Sequence, residues 1–316
     1  MKNELTKEIA YKELQNFFKN PSSPLVLFGS GMSCAVDTGF GMEALKKELI
    51  EKLGSEKLSK SQETQWSNVL NELNNDIDLE KALNKVKDKI LLNKIVKITG
   101  DYLSEIDRIY SLAIAKGECD WPAGKLFKKL VDKLPETDRA LHVATSNYDM
   151  LAEYAFEFLE VPYINGFSGG IKRNLDWPQS IRSITCVEKA LYGKKIKSFT
   201  RERKHIRLYK IHGSLNLFIF KDKIIENNTW LYEQSPNDND IERLIITPGE
   251  SKHEKLLKYR SGLLKPFDDA VEKHNAFLFL GFGFNDSQFT GDILKKCIKQ
   301  KVSLHNQKIG LRPSSG

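Results

Sequence analysis

Three residues with chemistry to offer, Asn147, Asp149 and His212, each stand just beyond a short apolar run. Leu141-His142-Val143-Ala144 leads through Thr145-Ser146 into Asn147-Tyr148-Asp149, and Leu208-Tyr209-Lys210-Ile211 leads into His212-Gly213-Ser214-Leu215-Asn216. An imidazole exchanges a proton near neutral pH, which suits it to general base catalysis. A carboxylate and an amide beside it can orient a polar substrate. Two further apolar runs end in glycine. Leu25-Val26-Leu27-Phe28 precedes Gly29-Ser30-Gly31-Met32-Ser33, and Phe277-Leu278-Phe279-Leu280 precedes Gly281-Phe282-Gly283-Phe284-Asn285-Asp286. A glycine turn between a strand and a helix lets backbone come close to a ligand, and a helix N-terminus favours anions.

Each of these features also has a purely structural reading. Gly29-Ser30-Gly31 departs from the dinucleotide fingerprint, whose third glycine is Cys34 here, so a tight turn without ligand suits it as well. Ser33, Asn147 and Asp149 are all residue types that cap helices. His212 is set apart by its place at a strand end beside Gly213; His142, His205, His253, His274 and His305 lie within strands, helices or charged stretches. Cys34, Cys119, Cys186 and Cys297 are scattered without a Cys-x-x-Cys pair, so neither a zinc ribbon nor a disulfide framework is expected.

The elements that would carry these residues follow from the pattern. Short apolar runs closed by small and polar residues read as buried strands of a parallel sheet, whose ligands sit beyond the carboxyl ends of the strands. The expected fold is α/β, a Rossmann-like and mostly parallel sheet with a helical insertion after the first strand–turn–helix unit. Helices are expected over 4–19, from 43, over 150–159, 254–274 and 287–299, with further strands at 161–164, 210–220 and 244–248. Residues 55–139 are poor in glycine and space Leu79, Leu83, Val86, Ile90 and Ile95, Ile98, Tyr102, Ile106 as a helix would. The expected organisation is a core formed by 1–54 and 140–316, a helical module at 55–139, and a long irregular basic insertion at 166–206.

Bulk properties are those of a globular chain, with 40% hydrophobic and 29% charged residues. No run reaches the roughly 18 apolar residues of a membrane span, and Met1-Lys2-Asn3-Glu4-Leu5 lacks the apolar core of a signal peptide. A cytoplasmic protein without membrane contact is expected. The net charge is +7, densest over 194–207, which reads first as a solvated surface and second as a nucleic-acid contact.

Taken together, the motifs resemble those of sirtuins. Gly29-Ser30-Gly31-Met32-Ser33 is similar to their Gly-Ala-Gly-x-Ser turn, Lys210 to Ser214 to their histidine segment, and Gly281 to Asp286 to their last nucleotide-contacting strand. Thr145 to Asp149 resembles the Thr-Thr-Asn-Tyr-Asp of sirtuin-like bacterial proteins. Asn165 to Gly169 and Thr247 to Lys252 are similar to segments of the sirtuin-like subunits of anti-phage systems that pair with a HerA-type hexameric ATPase. Two features of deacylating sirtuins, the Phe-Arg after the glycine turn and the four-cysteine zinc module, have no counterpart.

The resemblance implies NAD as substrate, cleaved by water to nicotinamide and ADP-ribose, and an NADase that depletes the host cofactor during infection. It implies catalytic roles for Asn147, toward ribose or water, and for His212 as general base. NAD would be held by Gly29, Ser30, Gly31 and Ser33, by Asp149 at the carboxamide, and by Gly281, Gly283 and Asp286; no zinc is implied. A homo-oligomer, low activity in isolation, and nucleic acid bound through the partner or through 194–207 are further expectations. The alternatives are a nucleic-acid-associated effector or nuclease, and a catalytically silent NAD- or ADP-ribose-binding assembly subunit.

Overall fold

The computed structural model describes residues 7–19, 23–232, 241–246, 260–284, 291, 293, 295 and 305–307. Helix α1 (Lys7–Lys19) leads into β1 (Leu25–Phe28), a single-turn helix α2 (Ser30–Cys34) and α3 (Met42–Ser55). Every element from there to residue 132 is helical: α4 (Lys60–Asn74), α5 (Leu79–Leu83), α6 (Lys89–Ala115) and α7 (Gly124–Asp132). Side chains set their starts. Ser59 and Gln62 form a reciprocal capping box at α4, and Asp78 and Asp88 accept from the third backbone amides of α5 and α6.

The chain then alternates again through β2 (Ala140–Thr145), α8 (Leu151–Phe158) and β3 (Tyr163–Ile164). With β8 (His205–Lys210), β12 (Phe277–Leu280) and β13 (His305–Gln307), the strands form a six-stranded sheet in the order β13-β12-β1-β2-β8-β3. All its pairings are parallel, and β1, β2 and β12 are buried throughout. This is the α/β architecture that the apolar runs imply. The strand order reverses at β1, which has β2 on one side and β12 on the other, so the ligand crevice of such a sheet falls beyond their carboxyl ends.

Three apolar cores hold the elements in place. On one face of the sheet, Val26, Phe28, Leu141, Val143 and Leu208 pack with Phe127 and Phe156 of the helices and with Trp121 from the segment before α7. On the other, Leu25, Leu27, Tyr209, Phe277 and Phe279 meet Leu263, Leu264 and Phe267, the last in α10 (Lys265–Lys273). The helical segment has a core of its own, built from Leu49, Leu53, Trp66, Val69, Leu91 and Ile95.

Two expectations need correcting. Residues 166–206 are regular rather than irregular: β4 (Phe167–Gly169), β5 (Lys172–Leu175), α9 (Trp177–Ser183), and a hairpin of β6 (Thr185–Tyr192) and β7 (Lys195–Glu202). Its strands are exposed on one face and at most half-buried on the other, where Cys186, Glu188 and Ala190 mix residue types, so they carry no apolar alternation to read. The 210–220 segment is not one strand. β8 ends at Lys210, the chain turns at Gly213 with φ of +84°, and β9 (Gly213–Phe220) enters a second, antiparallel sheet. That sheet runs β11 (Ile241–Ile245), β9, β10 (Lys223–Asn227), β5, β4. An alanine at 213 would place its Cβ 1.9 Å from the Leu244 carbonyl oxygen, so the sharp corner requires glycine. Among the described residues no helix is long and apolar enough to cross a membrane.

Candidate functional site

Beyond the carboxyl ends of β1, β2 and β12 lies a crevice with a cavity volume of ≈ 210 Å³. Six of the residues expected to act on a ligand line it: Gly29, Ser30, Asn147, Asp149, His212 and Gly283. Gly31, Ser33 and Gly281 are not part of this lining, and Asp286 lies outside the described residues. The parallel register places them. Thr145 pairs with Phe28 on one side and Lys210 on the other, so the segments after three adjacent strands leave the sheet at the same level.

The loop after β2 is held by a buried hydrogen-bond chain. Thr145 Oγ1 accepts from the Asn147 amide at 3.0 Å. Asn147 Nδ2 donates to Ser33 Oγ at 2.9 Å, and Ser33 Oγ donates to Asp149 Oδ2 at 2.8 Å. Ser33 is fully buried in α2, so it is not the helix cap that its type suggests. Asn147 caps nothing either; its amide nitrogen is spent on Ser33, leaving Oδ1 as an acceptor. Asp149 retains part of a capping role, its Oδ1 accepting from the Leu151 amide at 3.3 Å. The hydroxyl thus fixes an amide and a carboxylate at once, with the two aimed by one group.

The glycine turn works differently from expectation. The Gly29 amide donates to the Leu280 carbonyl at 3.1 Å and the Gly31 amide to the Gly281 carbonyl at 3.0 Å. These amides bind the end of β12 and do not form a phosphate cradle. A Cβ at Gly29 or Gly31 would fall 2.9 or 2.7 Å from the Gly281 carbonyl oxygen, so close backbone approach explains both glycines. Ser30, exposed at the crevice, is the polar group that the turn presents. On the far side of the turn Phe284 sits in the left-handed region with φ of +57°, packed edge-on to Phe282 with centroids 5.3 Å apart. Such a conformation costs a bulky residue energy and clusters at ligand sites.

His212 stands at the corner between the two sheets, 8% exposed. Its carbonyl accepts from the Ile246 amide at 2.8 Å, and Tyr148 Oη donates to the Ile246 carbonyl at 2.9 Å. The histidine loop, the Asn147 loop and β11 are therefore tied to one another.

Beneath the loop lie charged groups that sequence reasoning missed. Asp107 of α6 is fully buried; it accepts from the Met150 amide at 2.7 Å and from Tyr154 Oη at 2.6 Å. Burial pushes its carboxyl up to about 7, opposed by those two hydrogen bonds. Lys210 at the end of β8 donates to the Asp149 carbonyl and pairs with buried Glu153 at 3.1 Å. Burial pushes Glu153 upward too, with Lys210 pulling the other way. Both had a signal in the chain. Asp107 falls on the inward stripe of α6 with Leu103 and Ile114, and Lys210 interrupts a buried apolar strand.

The crevice has a second wall that no local pattern announces. Phe40 lines it from just before α3, Met42 from the start of α3, Leu79, Glu80 and Leu83 from α5, and Thr99 and Leu103 from α6. Helices inserted after the first strand–turn–helix unit thus cover the ends of the strands, giving the crevice an apolar side opposite Asn147, Asp149 and His212. Among the described residues no three metal-ligating side chains cluster.

Such an arrangement offers a carboxylate, an amide oxygen and an imidazole on one side of a narrow, partly apolar slot. Comparison with known proteins agrees on a family. A family model described as SIR2-like domain matches residues 141–309, more than half of the chain, spanning Asn147, Asp149, His212 and the Gly281 to Asp286 segment. No curated protein matches the sequence.

Proposed function

The chain belongs to the SIR2-like domain family, whose members use NAD, and we propose that its crevice cleaves NAD with water to give nicotinamide and ADP-ribose. One observation carries the proposal: Asn147, Asp149 and His212 share a single crevice with Gly29, Ser30 and Gly283 at the point where the strand order reverses.

In that reaction the bond between nicotinamide and ribose breaks, positive charge develops on the ribose, water adds to the same carbon, and one proton is released. Asp149 suits two demands. Its carboxylate, already oriented by Ser33, can accept from the nicotinamide carboxamide, and its charge favours the cationic transition state. Asn147 Oδ1 can take a hydrogen bond from a ribose hydroxyl or the attacking water. His212 receives the proton, a role worth about 10²–10⁴ in rate. Ser30 and Gly29 face the remaining, phosphate-bearing part of the dinucleotide.

Water is the acceptor in this reading because the Phe-Arg and the four-cysteine zinc module of deacylating sirtuins have no counterpart in the sequence. Phe40, Leu79, Leu83 and Leu103 add apolar lining against which the nicotinamide ring can pack. On the resemblance of its motifs, we place this reaction in cofactor depletion by a cytoplasmic, oligomeric effector of anti-phage defence that works with a HerA-type ATPase. The test is incubation with NAD followed by chromatography. Nicotinamide and ADP-ribose in equal amounts are expected; bound NAD without turnover, with partner and DNA present, would move the assignment to a silent binding subunit.

A further inference from the structure

The β6–β7 hairpin stands outside the chemistry above. It pairs from Thr185↔Glu202 to Tyr192↔Lys195, turns through Gly193 and Lys194, and adds to no other strand among the described residues. Eight residues per strand give it a reach of roughly 27 Å. Ion pairs clamp its root: Arg139 to Glu188 at 3.0 Å, Arg201 to Glu188 at 3.3 Å, and Arg207 to Glu202 at 2.9 Å. The ribbon is thus anchored at one end and bare at the other.

Its charge is one-sided. From Lys189 to Arg201 there is no acidic residue, while Lys189, Lys194, Lys195, Lys197 and Arg201 supply cations. The four lysines are exposed and make no ion pair among the described residues. Lys197 lies over the Tyr192 ring at 5.3 Å, while Arg201 is paired at the root with Glu188 and Glu136, each at 3.3 Å, so the four lysines carry the free charge. The strand register puts Lys189 on one face with Val187, Leu191 and Ile196, and Lys195 and Lys197 on the other with Tyr192 and Phe199.

Unpaired like charges held close together call for a polyanion. Cations on both faces and at the tip narrow the choice. A ribbon that enters lipid tip first must bury its turn, and here Lys194 and Lys195 hold charge at the turn itself, beside exposed Leu191, Tyr192 and Ile196. A ribbon lying between two phosphate strands needs cations on both flanks, as here. The major groove of B-form DNA, about 12 Å wide, admits a two-stranded ribbon, whereas that of A-form RNA is too narrow. We propose that the β6–β7 hairpin is a DNA-binding arm that docks in the groove of duplex DNA, with its lysines on the phosphates and Val187, Leu191 and Ile196 exposed for apolar contact within the groove.

Fluorescence anisotropy of a labelled 20-base-pair duplex with the full-length protein tests this. Four phosphate contacts lower affinity by roughly 150-fold between 50 and 200 mM salt. A triple variant, Lys194→Gln, Lys195→Gln and Lys197→Gln, removes three of them and should flatten the salt slope by about 2.7. Its circular dichroism should match the parent's, since the three side chains are exposed, and NAD turnover should be unchanged. Parent-like duplex affinity in that variant overturns the proposal. So does binding to vesicles of 30% phosphatidylserine, or to duplex RNA, without binding to duplex DNA.

Discussion

Ser33→Ala deletes a single buried oxygen and tests how the site is held. In the parent that oxygen accepts from Asn147 Nδ2 and donates to Asp149 Oδ2, at 2.9 and 2.8 Å, in a place with no exposure. Removal strands an amide donor and a carboxylate oxygen. A buried polar group left without a partner costs about 1–3 kcal/mol. Asn147 and Asp149 border the crevice, so water relieves part of this, and a loss of about 2–4 kcal/mol in unfolding free energy is expected for the pair. Urea unfolding followed by circular dichroism reads it as a lower midpoint at unchanged slope. Ser55→Ala provides the control, because its hydroxyl bonds only to the exposed Lys52 carbonyl and its loss should stay within about 0.5 kcal/mol. Turnover of NAD should fall about 10²-fold, since reacting groups misplaced by an ångström cost that much. Stability within 0.5 kcal/mol of the parent, together with full turnover, would refute the view that Ser33 orders the loop.

Two further expectations concern the groups around that network. Asp107 is held up to about 7 by burial, so the folded protein binds a proton there that the unfolded chain releases near pH 4. The stability this confers is full at low pH and is lost as pH rises through about 7. Asp107→Asn keeps an acceptor for the Met150 amide but cannot ionise. Relative to the parent it should therefore gain roughly 2–3 kcal/mol between pH 5 and pH 8 in paired urea titrations; a constant difference would contradict the buried carboxyl. Gly213→Ala sets a Cβ against the Leu244 carbonyl at a φ of +84°. A loss of at least about 3 kcal/mol is expected, with His212 displaced; thermal unfolding at the parent's midpoint would exclude the strained corner.

The parallel sheet was readable because Leu25–Phe28, Ala140–Thr145 and Phe277–Leu280 are buried on both faces, so the first and last are unbroken apolar runs and the middle one is interrupted only by His142 before Thr145. The same property brought Asn147, Asp149 and His212 to one edge, since residues after parallel strands share a level. The antiparallel sheet hid because its strands mix polar and apolar residues, as in Lys172–Leu175 and Lys223–Asn227, and β9 follows β8 after only two residues. Glycines 29 and 31 were visible, but their cause was not: they yield to Gly281, far along the chain. Leu79, Leu83, Val86 and Ile90 have helical spacing but do not share a helix: α5 ends at Leu83 and α6 begins at Lys89, so Ile90 falls out of step and is 63% exposed while Leu91 and Leu92 are buried. Long-range contacts of this kind, Ser33 to Asp149 and Asp107 to Met150 among them, leave no mark in local spacing.

NAD consumption by the purified protein and its Asn147→Ala and His212→Ala variants, measured alone and with a HerA-type ATPase and DNA, tests the proposed chemistry most directly. The parent should release nicotinamide and ADP-ribose in equal amounts under the activating condition. Both variants should lose at least about 10²-fold in rate, with NAD still bound by His212→Ala. Hydrolysis by His212→Ala at the parent's rate, or no consumption of NAD in either condition, would contradict it.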